Sequence, residues 1–292
     1  MTGSEVYPAN HIKRTRATKD EMEVRAEFLI AYAEAHGPVT VRQLYYQAEV
    51  AGLPGIDKSD AAYDKIQHQV LMLRRAGRLD YGLIADMTRW MRKPRSFNSV
   101  EQALEDTARL YRKSLWHDAE DYVEVWCEKD ALAGVIQPVT WKYDVPLMVT
   151  RGYTSETFCY ESVAQRDEDD CPYYVYALFD FDRSGRDAAK SLEEKLKRFG
   201  AEAGIEVIFE QIAVIENQIR RLSLPTRAHK RESAADKKWP YDFAAELDAI
   251  SPDYLRDLVE EAINRHLNQD QLDILKAAEE SEREQLRMWT TG

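Results

Sequence analysis

Apolar positions recur at helical spacing from residue 24 onward. Val24, Phe28, Ile30, Ala31 and Ala35 form a stripe that His36-Gly37-Pro38 ends. Thr40 caps a second helix over 41–51, closed by Gly52. Ser59 caps a third, with Ile66, Val70, Leu71 and Leu73 facing inward, that stops at Ala76-Gly77. Segments 79–84 and 88–91 pair as a small hairpin. Three short helices followed by a basic hairpin is the winged-helix pattern, a variant of helix-turn-helix, although small helical bundles share it.

The period then changes. Residues 96–119 connect two regions, with a helix over 100–115. Segment 122–128 alternates like a strand and 129–136 is helical. Segment 146–150 is a second strand, ended by Arg151-Gly152-Tyr153, and 155–164 a second helix. Segment 173–180 is almost continuously apolar, as a strand buried on both faces requires. A helix over 186–199, stopped by Gly200, leads to a fourth strand over 205–212. Such alternation predicts an α/β layer with a parallel sheet. Beyond Ala213 the chain is acidic and mostly helical, broken at Pro225, Pro240 and Pro252, and no internal repeat is present. The expected organisation is a flexible basic arm (1–20, with His11-Ile-Lys13-Arg14-Thr-Arg16), a winged-helix domain (21–95) and a connecting helix (96–119). A parallel-sheet domain (120–222) and an acidic helical extension (223–292) follow.

Composition narrows the setting. With 292 residues, 44% of them hydrophobic, the chain builds ordinary cores. No apolar run approaches the roughly 18 residues of a membrane span, and the N-terminus lacks the apolar core of a signal peptide. Cys127, Cys159 and Cys171 leave an odd count and no C-x-x-C pair, which argues against a disulfide scaffold or a zinc site and for a reducing, cytoplasmic location. A net charge of −12 argues against nucleic acid as partner. Between Arg74 and Arg95, however, seven basic residues face two acids. Phosphate binding follows the local field, so Arg74, Arg75, Arg78 and Lys93 are candidate DNA contacts, the alternative being a solvated helix end and loop.

Ligands of parallel sheets bind beyond the carboxyl ends of the strands. Glu128 ends the first strand and Asp180 the third, and Asp182 follows in Phe179-Asp-Phe-Asp-Arg-Ser-Gly185. Three carboxylates converging on one edge supply the hard oxygens that Mg²⁺ takes, with Mn²⁺ as a substitute. Gly185 permits a tight turn there. The alternative is that these carboxylates merely cap strands and helices. The acidic run from Asp167 to Asp170 reads as a solvated loop. On the second helix Tyr46 lies four residues after Arg42 and so on the same face. An arginine there holds a phosphate by two hydrogen bonds, and an activated tyrosine is a covalent nucleophile. Tyr45 points about 100° away and is expected in the core.

In combination these residues resemble the A subunit of topoisomerase VI and its relative, the meiotic double-strand-break transesterase. That family joins a winged helix bearing Arg-x-x-x-Tyr to a Toprim domain whose Glu and Asp-x-Asp bind Mg²⁺. The matching positions are Arg42 and Tyr46, Glu128 in Trp126-Cys-Glu-Lys129, and Asp180 with Asp182. Similar stretches include Thr150-Arg-Gly-Tyr-Thr-Ser155, Gln218-Ile-Arg-Arg-Leu-Ser-Leu-Pro225 and 245–256, so the resemblance covers about residues 22–265. It implies Mg²⁺-dependent cleavage of double-stranded DNA through a 5′-phosphotyrosyl link. It further implies a homodimer in which the tyrosine of one subunit meets the metal of the other. The chain is short for a full A subunit and carries no Gly-x-x-x-x-Gly-Lys-Ser/Thr, so strand passage calls for a separate ATPase subunit of the B type. A stand-alone relative from a phage or mobile element, a Toprim hydrolase using water, and a non-catalytic DNA-binding module are the other readings.

Overall fold

A computed structural model describes residues 17–85, 95–116, 119–166, 171–228, 236 and 239–289. Helices α1 (Lys19–His36) and α2 (Val41–Val50) both open on a capping box, Thr18 with Glu21 and Thr40 with Gln43. In each, the threonine hydroxyl accepts from the third helical N–H while the longer side chain returns the bond. Ser59 caps α3 (Asp60–Arg75). The three helices bury Leu29, Leu44, Val39 and Ile66 in one core, and Tyr45 lies in it as expected. Leu71, expected inward, stands exposed instead, because the core-facing positions are Ile66, Val70 and Leu73.

Of the hairpin expected after α3, the first arm is corrected. Residues Tyr81–Leu83 form a 3-10 turn capped by Asp80, and Ile84 pairs with Val39 in an isolated parallel bridge. The segment closes back on the loop before α2, with Val39 N–H donating to the Leu83 carbonyl and Ala85 N–H to that of Val39. Residues 88–91, and Lys93 with them, lie outside the described residues. Helix α4 (Val100–Leu110) also ends five residues early. Beyond Tyr111 the chain is extended and lies along the C-terminal helix: Lys113 N–H donates to Glu279 (2.9 Å) and Arg283 Nε to the Tyr111 carbonyl (2.9 Å).

The α/β region follows the expected alternation: β1 (Tyr122–Cys127), α5 (Asp130–Lys142), β2 (Leu147–Val149), α6 (Glu156–Ala164), β3 (Tyr173–Leu178), α7 (Arg183–Ala203) and β4 (Val207–Ala213). The four strands form one parallel sheet in the order β2-β1-β3-β4. Alternate residues of β1 point to opposite faces. Val125 and Cys127 enter a core with α5, while Trp126 enters one with α6 and α7. Glu124 shares the Trp126 face and is fully enclosed. Its carboxylate accepts from Tyr122 Oη (3.0 Å), Trp126 Nε1 (2.8 Å), Ser162 Oγ (3.1 Å) and the Tyr173 hydroxyl, a set that satisfies a buried acid whose pKa burial pushes up.

Helix α7 runs longer at both ends than the pattern predicts. Asp182 caps it, and Gly200, taken as its stop, lies inside it. A Cβ at Gly200 would sit 2.5 Å from Val207 Cγ2, so this glycine serves the close approach of β4. The stop is Gly204, at φ +76. After α8 (Glu216–Arg221) come β5 (Arg227–Ala228), β6 (Phe243–Ala244), α9 (Pro252–Asn264) and α10 (Gln269–Met288). β5 and β6 pair antiparallel, and a bridge between Phe181 and Ala245 lays the 245–250 segment across the carboxyl end of β3. Helix α9 then covers the α5 side of the sheet, burying Leu255, Val259 and Ile263. Among the described residues no helix is long and apolar enough to cross a membrane.

Candidate active site at the carboxyl edge of the sheet

The loops leaving β1 and β3 carry the three carboxylates. The Glu128 carboxylate accepts from the Asp180 backbone N–H (2.9 Å), which ties the two strand ends together. Burial first, and the neighbouring Asp180 and Asp182 charges next, hold the Glu128 carboxyl above its ordinary pKa. Asp180 is likewise shifted up by burial, against the pull of Lys129 and of the Leu247 N–H that donates to its Oδ1 (2.7 Å). Asp182 is more committed: Oδ1 accepts from Gly185 N (2.8 Å) and Ser184 Oγ (2.9 Å) at the start of α7, and Oδ2 pairs with Arg227 (2.9 Å).

The turn that sets Asp180 against α7 is tight. A Cβ on Gly185 would fall on the Asp180 carbonyl oxygen, well inside contact distance. Gly185→Ala is expected to cost about 1–3 kcal/mol, the scale of overpacking, and to lower the urea midpoint without changing the slope. An unchanged midpoint would show that the Asp180 turn relaxes freely.

Four residues that the sequence reading did not assign complete the site. Lys129, next to Glu128, sends its ammonium to Asp180 Oδ1 (2.9 Å) and Asp248 Oδ2 (2.8 Å), with Glu246 Oε2 at 3.5 Å. Burial disfavours that charge, and the three carboxylates outweigh it, so the lysine is held cationic. Glu246 and Asp248 arrive on the segment laid across β3. Asp248 Oδ1 also accepts from Thr40 Oγ1 (3.1 Å) and so binds the cap of α2 to the sheet. Glu246 receives both an Arg42 hydrogen-bond pair (3.0 and 3.3 Å) and Arg227 Nε at 3.7 Å. A signal for them was present in the Glu-x-Asp of residues 246–248, within a stretch the resemblance covers.

Arg42 therefore does meet the acidic edge. Its guanidinium lies over the Tyr63 ring at 4.6 Å and opens on a cleft of about 540 Å³. Arg42, Arg74, Lys129, Asp180, Glu246 and Asp248 line this cleft; Tyr46, Glu128 and Asp182 do not. The Tyr46 ring packs on both the helical core and the α/β core, 5.1 Å from Tyr45. Burial, then the Glu246 charge, drives its phenol far above the usual tyrosine range, and Arg42 and Lys129 oppose this only in part. Tyr45, by contrast, is anchored to the Asp57 carbonyl (2.9 Å).

The basic stretch divides. Arg74 lines the cleft, stacks on Tyr81 at 4.2 Å and keeps a buried Nε without a hydrogen-bond partner among the described residues. Arg75 is exposed at the end of α3, and Arg78 is held by Glu23 (2.5 and 3.1 Å). No three His, Cys, Asp or Glu side chains among the described residues form a group able to hold a metal ion by themselves. Neither a protein-family model nor a curated protein matches the chain.

Proposed function

We propose that the chain is a divalent-metal-dependent DNA-cleaving transesterase of the type IIB topoisomerase A-subunit kind. In this reading α1–α3 are the winged-helix unit and β1–β4 with their helices the Toprim unit. The observation that carries the reading is the meeting of Arg42, on the tyrosine-bearing helix, with Asp180 and Lys129 in one cleft at the carboxyl edge of the sheet. The sequence pattern supplies the two halves separately; their shared cleft supports a common reaction.

The donor set is compatible with Mg²⁺ or Mn²⁺. Glu128, Asp180, Asp182, Glu246 and Asp248 face Arg42, Lys129 and Arg227, which leaves two negative charges for one divalent cation. Glu128 keeps one oxygen without a hydrogen-bond partner among the described residues. Mg²⁺ needs only one or two carboxylates when water and substrate phosphate complete its shell. Glu128 and Asp180 are the residues that would hold it, with Asp182 at the rim. There it would neutralise charge on the reacting phosphate.

The chain's own groups do the rest. Arg42 holds the phosphate through two parallel hydrogen bonds. The Tyr46 oxygen forms a bond to phosphorus as the bond from phosphorus to the deoxyribose 3′-oxygen breaks. That oxygen leaves as a hydroxyl, taking up a proton to replace the one the phenol gives up. The Tyr46 phenol, half-buried and difficult to ionise, favours one rival, in which water is the attacking group and the tyrosine is structural. Supercoiled plasmid incubated with Mg²⁺ or Mn²⁺ and stopped with and without protease separates the two. Cut DNA that enters the gel only after protease supports the transesterase. Cut DNA free of protein supports hydrolysis, and intact plasmid under both metals rejects both.

A further inference from the structure

We propose that Arg42, Lys129 and Arg227 form a seat for a backbone phosphodiester, and that the Glu246 carboxylate fills this seat in the free protein. The inference rests on the nucleic-acid reading above and adds to it two cations and an internal competitor. Glu246 is approached by three cationic side chains: Arg42 at 3.0 Å, Lys129 at 3.5 Å and Arg227 at 3.7 Å. A carboxylate and a phosphate present the same pair of oxygens to a guanidinium, so each replaces the other on one fork.

The seat does not depend on Glu246 for its shape. Lys129 retains Asp180 and Asp248, at 2.9 and 2.8 Å. Arg227 retains Asp182 at 2.9 Å, and Arg42 retains the Tyr63 face. Glu246 is thus the one anion common to all three cations, and its removal leaves each of them another contact. It lies on the wall of the cleft that also holds Arg74, whose buried Nε has no hydrogen-bond partner among the described residues. A strand entering the cleft therefore meets Arg42 and Lys129 on its wall, and displacing the Glu246 carboxylate also frees the side of Arg227 that faces it.

The distinction from a purely structural ion pair is one of sign. Removing a structural partner leaves buried charge uncompensated and weakens every function. Removing a competitor strengthens the binding of what it competes with. The test is the affinity of the full chain for a short fluorescent duplex, in EDTA so that no cleavage occurs, across a series of salt concentrations. Glu246→Gln is expected to bind about tenfold more tightly, with a log–log salt slope steeper by about one. Glu246→Asp, which keeps the charge, is expected to gain less than Glu246→Gln. Arg227→Gln, at a half-exposed position that should tolerate it, is expected to weaken binding and flatten the slope by about one. It should also reduce the gain when combined with Glu246→Gln. Equal or weaker binding by a folded Glu246→Gln protein overturns the proposal, as does wild-type affinity in Arg227→Gln. Duplex binding without these changes sinks the seat alone. Failure of the wild type and every variant to bind duplex sinks the nucleic-acid reading together with it.

Discussion

Tyr46→Phe should lose protein-linked DNA cleavage by a factor on the order of 10⁴ to 10⁶, the scale on which removing a nucleophile acts. Asp180→Asn should fall comparably, but for a different reason. The phenylalanine keeps the ring that packs between the two cores and deletes only the attacking oxygen. The asparagine deletes one of the two carboxylates proposed to hold Mg²⁺, and leaves Lys129 with Asp248 as its near partner. The two lesions therefore part in their metal response. Raising Mn²⁺ should restore some cleavage to Asp180→Asn and none to Tyr46→Phe. The wild-type rate should also climb with pH across the alkaline range, because burial and Glu246 hold the phenol protonated and the attacking form is the phenolate. Undiminished covalent product from Tyr46→Phe would remove the tyrosine from the chemistry, and a rate that is flat with pH would place its deprotonation outside the slow step.

How much of this was legible before any coordinates follows from how local each signal is. Caps and strand periods are written in neighbouring residues, so Thr40, Ser59 and Ser155 mark helix starts where the structure has them. Glycine is less plain, since a helix stop and a close approach of two elements both ask for it. Gly200 reads as a stop by pattern, yet its cause is the close approach of Val207 on β4, and Gly204 makes the stop. The first arm of the hairpin was hidden similarly, because Tyr81–Leu83 form a 3-10 turn and Ile84 reaches Val39, far back in the chain. The site shows the same limit. Glu128, Asp180 and Asp182 announce themselves by standing at strand ends. Glu246 and Asp248 reach the site only through the Phe181–Ala245 bridge, a pairing across 64 residues that no local period encodes. Lys129 was visible in sequence, but two of its three carboxylate partners, Glu246 and Asp248, were not.

Mixing two inactive chains offers the sharpest test of assembly. Within one chain Arg42 and Asp180 share a cleft that Tyr46, Glu128 and Asp182 do not line. In the proposed reading the tyrosine of one copy works with the carboxylates of another. Cutting both strands of a duplex calls for two sites related by a two-fold axis, which a symmetric dimer provides. The expected arrangement on DNA is then a pair of composite sites, each with the tyrosine of one subunit and the acids of its partner. A heterodimer of Tyr46→Phe and Asp180→Asn subunits contains one site with both lesions and one with neither. It should nick a single strand of supercoiled plasmid and stay attached through the remaining Tyr46, although each parent alone is inert. If each chain instead uses its own tyrosine with its own acids, both sites carry one lesion and the mixture stays inert. Differently tagged subunits, co-purified before the assay, establish that heterodimers are present, so that an inert mixture counts against composite sites rather than against mixing. Nicked circles without bound protein would instead point to attack by water.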